Sequence, residues 1–159
     1  VNARYQLSKA VNAKLGFSHD RDNAWLAQLQ WRPFRGANWT VGGREGQPYA
    51  IVEQHWLGYS GQWGVFAQYG HNDTPVLFHR HRSVGITWQR HDHEFGLATS
   101  WVKTVAEQLD ERAYEIYWRA KITDWLALQP DIQWLDQRRK SLQRGQDSTI
   151  LTLRLAMNW

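Results

Sequence analysis

Residues 150–159 read ILTLRLAMNW. Taken alternately, Leu151, Leu153, Leu155, Met157 and Trp159 form one set, and Ile150, Thr152, Arg154, Ala156 and Asn158 the other. In an extended chain, side chains two apart share a face. The stretch is therefore a strand that is oily on one side and mostly polar on the other, with an arginine in the middle. Lipid on one side and water on the other suits such a strand. On the lipid side, a cation near mid-bilayer would cost about 2–4 kcal/mol.

The same period of two runs through the chain. VNAKLGFSH sets Val11, Ala13, Leu15 and Phe17 against Asn12, Lys14, Gly16 and Ser18. YEIYWRAKI sets Tyr114, Ile116, Trp118, Ala120 and Ile122 against Glu115, Tyr117, Arg119 and Lys121. LALQPDIQW sets Leu126, Leu128, Pro130, Ile132 and Trp134 against Gln129, Asp131 and Gln133. Comparable segments begin at Ala24, Trp63, Ser83 and Phe95. Weaker ones lie near 2–7, 38–44 and 50–59, which brings the expected strands to eleven. In 50–59 the phase leaves open which face Glu53 and Gln54 occupy.

Short connections are expected at 8–10, 33–37, 59–62, 90–93 and 123–125. Longer polar ones are expected at 19–23, 44–48, 71–79, 103–111 and 136–147. Turns on one rim and loops on the other is the arrangement of an outer-membrane barrel. Tryptophan gives a second indication, because its ring favours the membrane interface, half-buried with its N–H near water. Trp31, Trp39, Trp63, Trp88, Trp125 and Trp159 fall beside the short-turn rim, and Trp25, Trp101 and Trp134 toward the loops. Trp118 reads as mid-strand, and Trp56 belongs to the ambiguous segment.

Composition agrees. The 159 residues include 11 Trp and 14% aromatics, yet mean hydropathy is −0.66. Rings spread over an outer wall around a polar lumen reconcile those values. Apolar runs fall far short of the ~18 residues of a spanning helix, and no signal peptide is read at the start. There is no cysteine, which excludes disulfides and thiol chemistry. The net charge of +4 is scattered. Its one cluster, Arg138, Arg139 and Lys140, reads as a solvated loop rather than a nucleic-acid surface.

The segment EIYWRAKITDWLALQPDIQWL (115–135) resembles the C-terminal region of OprB-type carbohydrate-selective porins, with Gln129, Pro130, Asp131 and Gln133 in place. IVEQHWLGYSGQWGVFAQYG (51–70), SVGITWQRHDHEFGLATSW (83–101) and the closing LTLRLAMNW are similar to that family's strands in the same order. The likeness is good over about 50–159 and loose before it. Two departures are a terminal Trp159, where phenylalanine is usual, and an Arg/Lys-rich stretch before the last strand.

The resemblance implies an all-β, antiparallel up-and-down transmembrane β-barrel of about sixteen strands, admitting glucose-like sugars by passive diffusion. Residues 1–159 are then expected to form a single barrel domain, the C-terminal part of a longer porin. An odd strand count points the same way, since bacterial barrels have even numbers. Open alternatives are a complete smaller barrel for polysaccharide export or adhesion, and a soluble carbohydrate-binding β-sandwich.

The expected lumen-lining, substrate-binding residues are Glu115, Tyr117, Arg119, Lys121, Gln129, Asp131, Gln133 and Arg154. Such groups hydrogen-bond sugar hydroxyls weakly enough to let go; a structural network that stiffens the wall is the competing reading. His79 with His81, and His91 with His93, have chelating spacing, but they read as solvated pairs at opposite rims. Glu107, Asp110 and Glu111 cluster in an expected loop without partner groups, and no hydrolase or phosphate-loop motif occurs. The expectation is a non-enzyme with no cofactor and no metal. Its partners would be small sugars, outer-membrane lipid and the barrel insertion machinery, with no nucleic acid. Its place would be the outer membrane of a Gram-negative bacterium.

Overall fold

A computed structural model describes residues 2–19, 23–44, 46–73, 78–104, 109–139 and 146–157. The strands are β1 (Asn2–Gln6), β2 (Val11–His19), β3 (Asn23–Trp31), β4 (Ala37–Arg44), β5 (Gln47–Gly58) and β6 (Gly61–His71). They continue as β7 (Phe78–Arg90), β8 (His93–Thr104), β9 (Leu109–Lys121), β10 (Leu126–Arg139) and β11 (Gln146–Met157). All eleven lie in one sheet in sequence order, each antiparallel to its neighbour. Among the described residues this is an up-and-down wall with no second sheet behind it, and so not a sandwich. Among the described residues β1 pairs only with β2, and β11 only with β10.

Alternation decides the two faces. One set of positions carries Leu29, Val41, Val65, Val84, Leu97 and Leu153, all exposed, with Leu153 at 63% and Leu97 at 54%. The buried hydrophobics are small: Ala24, Ala37, Ala120 and Ala127. A fold made for water would not leave its large apolar groups outside and bury alanines. In lipid the same face is satisfied. On outward strand positions between the two aromatic levels, the described residues include no Lys, Arg, Asp or Glu.

The aromatic levels are continuous across strands. At the short-turn end Trp56 pairs with Trp63, Trp63 with Trp88, Trp88 with Phe95, and Phe95 with Trp118. Ring centroids are 6.4 Å apart for Trp63–Trp88, 5.8 Å for Trp88–Phe95 and 6.3 Å for Phe95–Trp118. Trp118 is thus a member of the girdle rather than a mid-strand outlier. Trp56 belongs to it as well, which puts Gln54 outward and Glu53 on the opposite, polar face. At the other end Phe17 and Trp25 touch at 4.5 Å, and Tyr69, Trp101, Tyr114 and Trp134 occupy outward positions. The expectation for Trp159 lies outside the described residues.

The loops differ from expectation. The strands run well past the apolar band, so the 44–48 connection shrinks to residues 45–46, and β10 and β11 extend to Arg139 and from Gln146. The reason is that backbone pairing needs no apolar side chains. Polar pairs such as Arg112–Asp136 and Glu111–Gln137 continue the ladder into water. At the other rim Gly61 takes φ 143° with its missing Cβ against the Gln89 carbonyl, a position closed to any side chain.

Candidate functional site: the polar face of the sheet

The polar face is laterally tied, strand to strand. Gln30 donates to Asn38 Oδ1 at 2.6 Å, and Asn38 donates to Glu53 Oε2 at 2.5 Å, joining β3, β4 and β5. The Tyr49 hydroxyl donates to Gln28 Oε1 at 2.9 Å, reaching across β4 to β3. The Tyr117 hydroxyl donates to Glu94 Oε1 at 2.5 Å, and Gln137 donates to Glu111 Oε2 at 2.7 Å. Paired polar groups keep their worth when partly withdrawn from water.

Glycines make room for this. Tyr49 faces Gly42, His55 faces Gly64, Phe66 faces Gly85 and Tyr117 faces Gly96, each as a direct cross-strand pair. A Cβ on any of these glycines would run into the ring or hydroxyl of its partner. The aromatic side chain therefore lies down over the backbone of the next strand instead of standing into the channel space. Gly96→Val lifts Tyr117 off the wall and breaks its bond to Glu94. The expected loss is about 1–3 kcal/mol of stability, read by urea unfolding of the folded barrel, with slower sugar permeation.

Toward the end of the sheet, one cation serves two carboxylates. Arg154 Nε lies 3.1 Å from Asp131 Oδ2, and Arg154 Nη2 lies 3.5 Å from Glu115 Oε1. The Asp131 side chain is fully buried, that of Glu115 is 26% exposed and that of Arg154 is 50% exposed. Neither Asp131 oxygen has an aligned hydrogen bond, so its link to Arg154 is an ion pair by proximity. Register explains the meeting: Glu115 pairs with Gln133, Gln129 with Arg154, and Asp131 with both Tyr117 and Thr152. Pro130 interrupts the β9 side of this ladder at 129–130, where its missing N–H cannot donate.

Of the eight expected lining residues, Glu115, Asp131 and Arg154 are brought together, with Tyr117 beside them in register. Gln129 and Gln133 flank them on the same face of β10. Lys121 goes elsewhere. It bonds Asp124 in the turn at 2.6 Å, holding that carboxyl below the usual carboxylate range. Together with Arg119, Glu94 and Gln89 this pair lines a depression at the short-turn rim. Glu94, Glu53, Asn38, Gln28, Gln30 and Tyr49 were not singled out from sequence. Strand parity would have put most of them on the wet face, but only register shows who meets whom.

The other candidates separate. Asp110 is on the outward phase, Glu111 is bonded to Gln137 on the polar face, and Glu107 lies outside the described residues. His93 stacks on Trp118 at 5.7 Å and accepts from its indole N–H at 3.3 Å, while His91 occupies the turn at φ 53°. Among the described residues, no group of three or more His, Asp, Glu or Cys side chains could hold a metal.

No curated protein and no solved structure matches the chain. One family does, described as carbohydrate-selective porin, OprB family, over residues 5–158. An antiparallel up-and-down wall with one apolar and one polar, cross-linked face is consistent with part of such a barrel, and the chain belongs to the OprB family of carbohydrate-selective porins.

Proposed function

We propose that the chain forms eleven strands of a larger closed barrel through which neutral, glucose-like sugars pass by passive diffusion. In lipid an unpaired strand edge has no water to satisfy it, so β1 and β11 need further strands to close the wall. The full barrel is read as having about sixteen, as a single domain of which this is the C-terminal part. The family is one of outer-membrane channels of Gram-negative bacteria, not of enzymes.

The observation that carries the reading is the pairing of a bare apolar outer face with an inner face of spaced, mutually bonded polar groups. Glu115, Tyr117, Gln129, Asp131, Gln133 and Arg154 are proposed as lining contacts along the path, with Arg119 and Lys121 at its short-turn mouth. Their charges are held by one another, so a neutral sugar meets oriented donors and acceptors rather than a binding pocket. Weak, repeated contacts of this kind permit release. Besides sugars, the proposed partners are the surrounding lipid and the insertion machinery that reads the last strand.

Liposome swelling by the full-length protein is the test. Glucose should enter several-fold faster than a trisaccharide of the same composition. Equal rates would remove the selectivity, and no swelling with either would remove the channel.

A further inference from the structure

The lumen does not account for one group of charges. Arg80 and Arg82 on β7, Lys103 on β8 and Arg112 on β9 are exposed and have the parity of the outward, lipid-facing residues. Arg80 is opposite Lys103, and Trp101 has Arg82 on one side and Arg112 on the other. They therefore begin at the Tyr69–Trp101 aromatic level and continue beyond it toward the loops. The Arg82 guanidinium lies 5.9 Å from the Tyr69 ring centroid, a cation–π contact that helps hold it at this level. Outward carboxylates nearby are Asp110, opposite Lys103, and Asp136, opposite Arg112, with Asp147 opposite Asp136 one strand further on. Outward His71 is paired with Asp73 at 2.9 Å. Four cations on β7–β9 thus meet one carboxylate on those strands, Asp110, and two beyond them, Asp136 and Asp147, in a place where a neutral solute never passes.

We propose that this outward face of β7–β9 binds the phosphate groups of the phosphorylated glycolipid in the membrane leaflet on the loop side. The inference rests on the barrel reading above. The depth is right, because cations on a barrel's lipid face cost little near the interface. The chemistry is right as well, because guanidinium groups grip phosphate through paired, charge-assisted hydrogen bonds. Arg82 and Arg112, on either side of Trp101, present two such groups while the indole covers the start of the acyl chains.

The experiment is native mass spectrometry of the full-length protein in detergent with four probes: bisphosphorylated lipid A, its dephosphorylated form, phosphatidylglycerol and inorganic phosphate. The phosphorylated glycolipid should be retained at least tenfold more tightly than the dephosphorylated one, and inorganic phosphate should not displace it. R82Q/R112Q should abolish that preference, and K9Q, in an exposed short turn, should preserve it. Equal retention of the two glycolipids by the unaltered protein would overturn the proposal without relying on any variant. So would phosphatidylglycerol bound as tightly as the phosphorylated glycolipid, or displacement by inorganic phosphate. Glucose permeation by the same preparation reads the channel separately. Permeation without the lipid preference overturns the lipid surface alone, and the preference without permeation overturns the transport reading alone.

Discussion

Leu97→Lys destabilises the folded barrel by about 2–4 kcal/mol, whereas Ala98→Lys, one residue along, changes it by less than about 1 kcal/mol. Leu97 is outward, 54% exposed, and flanked in register by Ile86 and Ile116. It lies between Phe95 and Trp101, which belong to opposite aromatic levels. An ammonium there must snorkel out of hydrocarbon. Ala98 is on the polar face, opposite Glu115, where a lysine finds both water and a partner. Urea unfolding in lipid vesicles measures both. Equal costs at the two positions would mean that the faces have been misassigned.

Arg154→Met costs about 2 kcal/mol. Losing one member of a buried ion pair costs about 3–5 kcal/mol, and the lower figure reflects the half-exposed arginine. The fully buried Asp131 then faces Glu115 across the ladder without their shared cation. The charge of the group goes from −1 to −2, so the channel's ion selectivity shifts toward cations. Adding Asp131→Asn should restore about half of the loss, giving a coupling of at least about 1 kcal/mol in the double-mutant cycle. A loss below about 0.5 kcal/mol for Arg154→Met would reduce the cluster to a solvated surface pair.

Alternation alone carried most of the fold. The parity of Leu151, Leu153 and Leu155 against Thr152 and Arg154 assigns inside and outside on the last strand, and the same reading assigns the others except 50–59. There, Glu53 and Gln54 are adjacent polar residues that fit either phase, and the Asn38 bond settles the matter. Loop lengths were misjudged because pairing between polar residues leaves no hydropathy signal. Trp118 was misplaced because depth along the barrel depends on strand stagger, which a single strand does not encode.

The site was legible in residue type and less so in partnership. Glu115, Asp131 and Arg154 were singled out separately, and their meeting depends on a register that only the assembled sheet contains. The glycine–aromatic pairs show the same limit. Gly96 and Tyr117 are unremarkable until β8 and β9 put one over the other.

In the membrane, one face of this wall should be wet and the other in lipid. Residues 1–159 contain no cysteine, so single cysteines placed among them report without background once any cysteine elsewhere in the full-length protein is replaced. Placed one at a time at positions 113–118 of β9 in the reconstituted full-length protein, they should react with a water-soluble, membrane-impermeant thiol reagent at 113, 115 and 117. Positions 114, 116 and 118 should stay protected. Uniform reactivity, or the opposite alternation, would contradict the account.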